Sequence, residues 1–342
     1  MKIINKTLKS IKENPNLNKK FLSLKRNDFK LDCNILTKTF YLDSYNYFPI
    51  TDDYNCFLDL FKWGDESKYK NFYSNNFLEN FKNNLGDFSI LSDVFVLGSS
   101  PMDNYYRNMI SFLPRIFFIE GKKIKIAIHR NTSNKFRNFI RALCKKMNIE
   151  MNFIFLDNSF YKFANSKIPQ FFNKEHSYKI LNSLKATNRR KERIYVTRHN
   201  CLYRNLINEG NLIDKLKEKN FRTIDLNSTT IFQQIKTFSN AEIVIGPTGS
   251  GLTNLVFCNS GTKVIEISPN YKFDYENNFL NRYKNISSHL NLNYKRIVAD
   301  PINLNEKDKK VEKFISSKII SESNYYKNML LKIEKINSIL QF

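Results

Sequence analysis

The chain lacks what a membrane-spanning or exported protein would carry. Nowhere in its 342 residues is there an apolar run of the roughly 18 residues that a membrane-crossing helix needs. The opening stretch, MKIINKTLKSIKENPNLNKK, holds no apolar core of the leader type. The expectation is a soluble, cytoplasmic protein, with any membrane association peripheral and at the inner face. No C-x-x-C pair occurs among Cys33, Cys56, Cys144, Cys201 and Cys258, which excludes zinc ribbons and thioredoxin-type sites. Their odd number and wide spacing predict reduced thiols. The four histidines, His129, His176, His199 and His289, form no metal-ligand spacing and are expected to be structural or solvent-facing. The acidic pair Asp52-Asp53 reads as surface. No metal site and no cofactor are expected.

What is abundant is positive charge and aromatic surface. Lysine and arginine number 55 against 32 acidic residues, a net charge of +23, which favours anionic partners such as nucleotides, nucleic acid or anionic lipid. The same charge can also be spread over a solvated surface without function. Hydrophobic residues make up 42% and aromatics 14%, enough to bury real cores and to exclude disorder for the bulk of the chain. The length fits about two domains.

Strands are predicted at 35–42 and 88–97, with a polar-aromatic, partly helical region at 52–86 between them. A helix is predicted over 104–119, kinked or ended at Pro114. Strand 123–130, helix 133–147 and strand 150–156 follow, which is the alternation of a parallel α/β unit. A helix at 173–192 runs into a basic linker. The second half is more regular: strand 193–197, helix 209–219 with Asn208 as N-cap, strand 223–226, helix 231–239, strand 242–246, a glycine turn, a helix to about 257 and strand 263–267. Four strands alternating with helices in about 75 residues predict a doubly wound sheet with its strand carboxyl ends, and its ligand, on one edge. A last strand is expected at 295–298 and amphipathic helices at 306–340.

The glycine turn reads GPTGSGLT, Gly246–Thr253. Leu252 stands where a nucleotide-triphosphate loop has its lysine, so that reading fails. The physical content survives, because glycines admit close backbone approach and a following helix aims N–H groups at an anion. A diphosphate suits the place, and a bare strand–helix turn is the alternative. Thr253 and Asn254, polar on the first turn, lean towards a ligand.

From Arg193 to Ile267 the residues RIYVTR, YRNLINE, FQQIKTFSNAEIVIGPTGSGLTNLVFC and GTKVIEI resemble glycosyltransferase family 61 in order and spacing. That family includes protein O-linked sugar transferases, plant xylosyltransferases and bacterial polysaccharide enzymes. NYYRNMISFLPRI, Asn104–Ile116, is similar to the family's upstream segment. Thr248 stands where the family usually has histidine, Ser250 where it has alanine, Arg107 where it has histidine and Ser111 where it has an acid.

The resemblance implies an α/β protein of GT-B type, with two Rossmann-like domains facing across a cleft. Residues 1–185 would form the acceptor-side domain and 190–302 the nucleotide-sugar domain. Residues 303–342 would be helices packing back on the first. It implies an inverting, metal-independent hexosyl- or pentosyltransferase, with a nucleotide-sugar donor as co-substrate and a glycan or lipid-linked glycan acceptor. Surface polysaccharide or glycan synthesis is its expected setting, and no nucleic acid is expected. Arg198 and Arg204 suit the phosphates, together with Gly246, Thr248, Gly249, Ser250, Gly251 and Asn254. Glu209 either caps its helix or binds sugar or ribose, and Glu266 either accepts from ribose or is structural. Asp103 is the candidate general base, ahead of Glu120, and Arg107 stands beside it in the catalytic set. Two alternatives remain: a catalytically weakened relative that binds a nucleotide or glycan, and a basic nucleic-acid-binding protein.

Overall fold

The computed structural model describes residues 3–62, 75–186, 191–199, 201–271, 281–302 and 324–341. The basic linker at 187–190 and the helices expected over 306–323 lie outside the described residues, as does 63–74 of the polar-aromatic region. The chain divides into two compact units, Met1–Ile180 and Leu181–Phe342. All five cysteines are free thiols, as their spacing implied. Among the described residues no helix is long and apolar enough to cross a membrane.

The first unit carries strands β1 (Ile4–Asn5), β2 (Phe21–Arg26), β3 (Leu31–Leu36), β4 (Phe40–Asp43), β5 (Phe48–Thr51) and β6 (Asn55–Cys56). It continues with β7 (Ser89–Ser92), β8 (Val94–Val96), β9 (Lys123–His129), β10 (Glu150–Leu156), β11 (Phe160–Ala164) and β12 (Ile168–Pro169). They form three sheets: a mixed one ordered β1-β6-β5-β4-β11-β7, a parallel one ordered β10-β9-β8, and an antiparallel one ordered β12-β3-β2. Among the described residues the all-parallel sheet of this unit has three strands, so the unit is mixed α/β with several sheets.

Two predicted strands break for one reason. Lys38 has φ 75° and Asp93 has φ 57°. A left-handed residue cannot continue a β-ladder. Predicted strand 35–42 therefore divides between β3 and β4, and predicted strand 88–97 between β7 and β8, each half in a different sheet. The segment read as one helix over 104–119 is also divided. It comprises a short α-turn Tyr105–Arg107, a π-turn Asn108–Phe112 and a 3-10 stretch Leu113–Phe118, with Pro114 at the start of the last, where its missing N–H costs nothing.

The second unit is the more regular. Its strands are β13 (Glu192–Val196), β14 (Phe221–Ile224), β15 (Ala241–Pro247), β16 (Lys263–Pro269), β17 (Asn293–Ile302) and β18 (Asn328–Leu330). They lie in the order β14-β13-β15-β16-β17-β18, parallel throughout except for β18. Ile194, Tyr195, Val244, Ile245, Val264 and Ile265 are buried, the continuous apolar runs that a parallel sheet covered on both faces requires. Helices Glu209–Lys217 and Ile231–Asn240 make the first two crossovers. Thr230 and Gln233 start the second with a capping box, side chain to N–H in both directions at 3.2 and 2.7 Å. From β13 the chain steps outward to β14 and returns on the other side as β15. The carboxyl ends of β13 and β15 are therefore a topological switch point, where open α/β sheets bind ligands.

Met329, Leu331, Ile336 and Ile339 are buried in the core of the second unit, with Tyr195, Leu212, Ile265 and Ile297. Over 328–340 the chain thus contributes to the second unit's core. Asn208 helps to fix it. Asn208 occupies the N-cap position, but its side chain makes no cap bond. Its Nδ2 donates to the Leu331 carbonyl at 2.7 Å, and its Oδ1 accepts from the Leu331 N–H at 3.1 Å. Asn208→Ala leaves both Leu331 groups unpaired and should destabilise the protein by about 1–3 kcal/mol in urea unfolding. Amides of 328–340 should lose hydrogen-exchange protection first.

Candidate functional site

The carboxyl end of β13 is held by one carboxylate. Glu209, on the first turn of its helix and buried, accepts from the Tyr195 hydroxyl at 2.7 Å and the Thr197 hydroxyl at 2.8 Å. It also accepts from the Arg198 N–H at 3.3 Å. Glu209 therefore neither caps its own helix through a box nor presents a free carboxylate; it fixes the backbone that leads into Arg198. Burial, with the Glu209 charge acting the same way, drives the Tyr195 phenol well above its ordinary range.

Arg198 projects from that fixed end onto the glycine turn. A Cβ placed on Gly249 would lie 1.8 Å from Arg198 Nη1, so the guanidinium occupies the volume a side chain would take. Arg198 Nη2 donates to the Tyr203 carbonyl at 3.0 Å. Arg198 Nε is buried with no hydrogen-bond partner among the described residues. Burial pulls the Arg198 guanidinium below its ordinary value, and the charge of Arg204 acts the same way. Arg204 is itself buried, has φ 59°, and sets its guanidinium 4.8 Å from the Tyr203 ring centre. Two cations thus lie close enough to oppose each other, an arrangement that an anion relieves.

The turn itself divides into committed and available groups. The Thr248 N–H is taken by the Ile267 carbonyl at 2.7 Å, and the Leu252 N–H by the Gly249 carbonyl at 2.9 Å. The Gly249 carbonyl also accepts from the Tyr283 hydroxyl at 2.5 Å. The N–H groups of Gly249, Ser250 and Gly251 are then the candidate anion donors. A Cβ on Gly251 would meet Leu226 Cδ1 at 2.7 Å, so the Leu226 side chain packs where a side chain at 251 would begin and would have to shift to admit one. The helix expected after the turn is a 3-10 helix, Ser250–Phe257. Gly251, Thr253 and Val256 are weak α-formers, which suits the tighter coil. Gly246 lies within β15 against Val196 and away from the turn's donors.

Three sequence candidates are built into the protein interior. Asn254 is fully buried and donates to Gln234 Oε1 and to the Gly251 carbonyl, both at 3.0 Å, so it braces the turn instead of facing a ligand. Thr248 is 2% exposed, with its side chain beside Glu266. Glu266 is 1% exposed; its Oε2 accepts from the Tyr294 hydroxyl at 2.6 Å, and its Oε1 is buried without a hydrogen-bond partner among the described residues.

In the first unit, Asp103 follows β8 with φ 45° and accepts from Asn108 Nδ2 at 2.9 Å. Burial raises its carboxyl above the ordinary range, against hydrogen bonds from Ser133 and Asn108 and the charge of Arg137. Arg107 is half-buried in the α-turn, its N–H on Asn104 Oδ1 at 3.0 Å. Arg115, in the same motif, is fully buried and donates to the Leu97 and Val96 carbonyls at 2.8 and 3.0 Å. It anchors the end of β8, a role that sequence reasoning missed. Glu120 is exposed and pairs with Lys167 at 3.1 Å. Asp52 and Asp53 pair with Lys20, as a surface reading implies. His129 is buried against Asn158 at 2.8 Å; His176, His199 and His289 are exposed.

Residues 105–265 match the family described as Glycosyltransferase 61. The match covers just under half of the chain and supports a glycosyltransferase family 61 domain, and with it a glycosyltransferase that has a donor and an acceptor substrate. Comparison with the curated proteins gave no match. The family 61 match contains Arg107, Arg198, Arg204, Glu209 and the whole glycine turn; Asp103 falls two residues before it and Glu266 one residue after. Sequence reasoning on the family missed Tyr283, which steadies Gly249 and has no motif around it.

Burial raises Glu266 above the ordinary carboxylate range, so the folded protein keeps its proton where the unfolded chain has released it. That group therefore costs stability as pH rises from the unfolded-chain value through the raised folded one. Glu266→Gln keeps the acceptor for Tyr294 and should remove the cost. Urea midpoints should favour the variant over the parent increasingly between pH 4 and 7, with no gain at acid pH.

Proposed function

We propose that the protein is an inverting, metal-independent glycosyltransferase that moves a sugar from a nucleotide-sugar donor to a hydroxyl of a glycan or lipid-linked glycan. The observation that carries the reading is Arg198: a half-buried residue whose guanidinium lies on Gly249, with Nε buried and unpartnered among the described residues. A buried donor left unsatisfied marks a place where a ligand supplies the acceptor.

Transfer breaks the bond between the anomeric carbon and the diphosphate oxygen and forms one to the acceptor oxygen. The diphosphate leaves with added negative charge. Arg198, Arg204 and the amides of Gly249–Gly251 are arranged to meet that charge as it develops, without reorganisation. A single in-line displacement inverts the anomeric centre. The acceptor's proton we assign to Asp103, whose burial-raised carboxyl is closer to neutral pH than an ordinary aspartate and so a better base there. Surface polysaccharide or glycan synthesis on the cytoplasmic side, with peripheral membrane contact, is the setting that fits a basic protein of this kind.

Arg198→Ala should weaken nucleoside diphosphate binding about 10- to 100-fold, the loss of one or two charge-assisted hydrogen bonds, in titration calorimetry. An unchanged affinity removes the phosphate role. Asp103→Asn should lower kcat by about 10²- to 10⁴-fold while the donor Kd stays within error. A parent protein that binds donor but neither transfers nor hydrolyses it would be the binding relative instead.

A further inference from the structure

The loop that carries Asp103 is closed by one amide side chain. The Asp103 N–H donates to the Ser100 carbonyl at 2.9 Å, which turns the chain after β8. Asn108 opens the π-turn Asn108–Phe112 and is 1% exposed, so its side chain is withdrawn from solvent. Its Oδ1 accepts from the Ser100 N–H at 2.7 Å, and its Nδ2 donates to Asp103 Oδ1 at 2.9 Å. Both ends of the turn are therefore tied to one residue. The partners dictate the residue type. A backbone donor at one end and a carboxylate at the other need an acceptor and a donor side by side, which a primary amide supplies. Leucine, of similar size, would leave the buried Ser100 N–H unpaired, and aspartate would set a second carboxylate against Asp103.

We propose that Asn108 is a positioning residue of the transfer reaction, holding the Asp103 carboxylate in the orientation from which it takes the acceptor's proton. This rests on the assignment of Asp103 as base and extends it. Asp103 has φ 45°, a left-handed conformation that its surroundings must maintain. Asp103 is half-buried while Asn108 is fully buried, the division expected between a base and the group that orients it. Asn254 shows the contrast, since both of its bonds brace structure and neither reaches a reacting group. The bond from Asn108 also has an electrostatic consequence. A donor on a carboxylate favours the ionised form, which is the form that accepts a proton. Ser133, at the N-cap of helix Asn134–Lys146, and Arg137 on that helix act in the same direction, against burial. From the loop after β9 the contact is uncharged, Asn131 Nδ2 on the Pro101 carbonyl at 3.0 Å. Ser133, Arg137, Asn131 and the adjoining Arg107 stay in place when Asn108 alone is changed.

The full chain is assayed for release of nucleoside diphosphate from UDP-glucose, UDP-galactose, UDP-N-acetylglucosamine and GDP-mannose, with water as acceptor, across the acid limb of the rate profile. Asn108→Ala should lower kcat about 10- to 100-fold with the donor KM little changed. It should also move the acid limb to higher pH, because the carboxylate has lost a donor that favoured its charged form. Asn108→Asp keeps the volume and the Ser100 bond, so it serves even where the alanine variant does not fold. Its acid limb should divide into two ionisations, since two carboxyls in contact titrate as a pair. Folded Asn108 variants with the parent's kcat and acid limb overturn the inference. So does an alanine variant that loses rate with its acid limb unmoved, because Asn108 then only braces the loop. If Asp103→Asn loses rate while both Asn108 variants behave as the parent does, the base stands without its positioning residue. If Asp103→Asn keeps the parent's kcat, or the parent binds these donors and releases no diphosphate, the base assignment and the positioning role fall together.

Discussion

A guanidinium lies where Gly249 has no side chain. The construction of the second unit's carboxyl edge depends on that contact. Holding Arg198 there requires the end of β13 to be fixed, which Glu209 does through Tyr195, Thr197 and the Arg198 N–H. It requires the turn to be fixed from the other side, which Tyr283, Asn254 and the Thr248 N–H do. The cost is a desolvated cation close to a second one, Arg204. Proteins retain such repulsion at functional positions, where a ligand of opposite charge removes it.

The second unit was legible in the sequence because its signals are local and repeated. β13, β15 and β16 are short β-branched runs, separated along the chain by turns and helices. Such patterns survive folding because both faces of a parallel sheet are buried. The first unit was less legible because its breaks depend on single backbone conformations. Nothing in the residue types at Lys38 or Asp93 announces a left-handed φ, yet each sends the chain into a different sheet. The surroundings of the closing helix were less legible for another reason. Its amphipathic pattern says that one face is buried but not against what, and Asn208 and the β17–β18 pairing decide that.

The candidate site divides in the same way. Arg198, Arg204 and the glycines were legible as candidates because their chemistry and their place near a strand end coincide. Asn254, Thr248 and Glu266 were also drawn in by proximity in sequence, but short polar side chains near a tight turn are as often its bracing. Thr248 is instructive, because the family usually has histidine there. Here the residue is turned inward, its N–H on Ile267 and its side chain beside Glu266. On the proposed reading, the charge compensation that histidine would add falls to the two arginines.

The most direct test is a crystal structure with a nucleoside diphosphate bound. The account predicts phosphate oxygens within hydrogen-bond distance, about 2.7–3.2 Å, of the Arg198 guanidinium and of at least one amide among Gly249, Ser250 and Gly251. A diphosphate bound elsewhere, with Arg198 still lying on Gly249 and touching no phosphate, would contradict it.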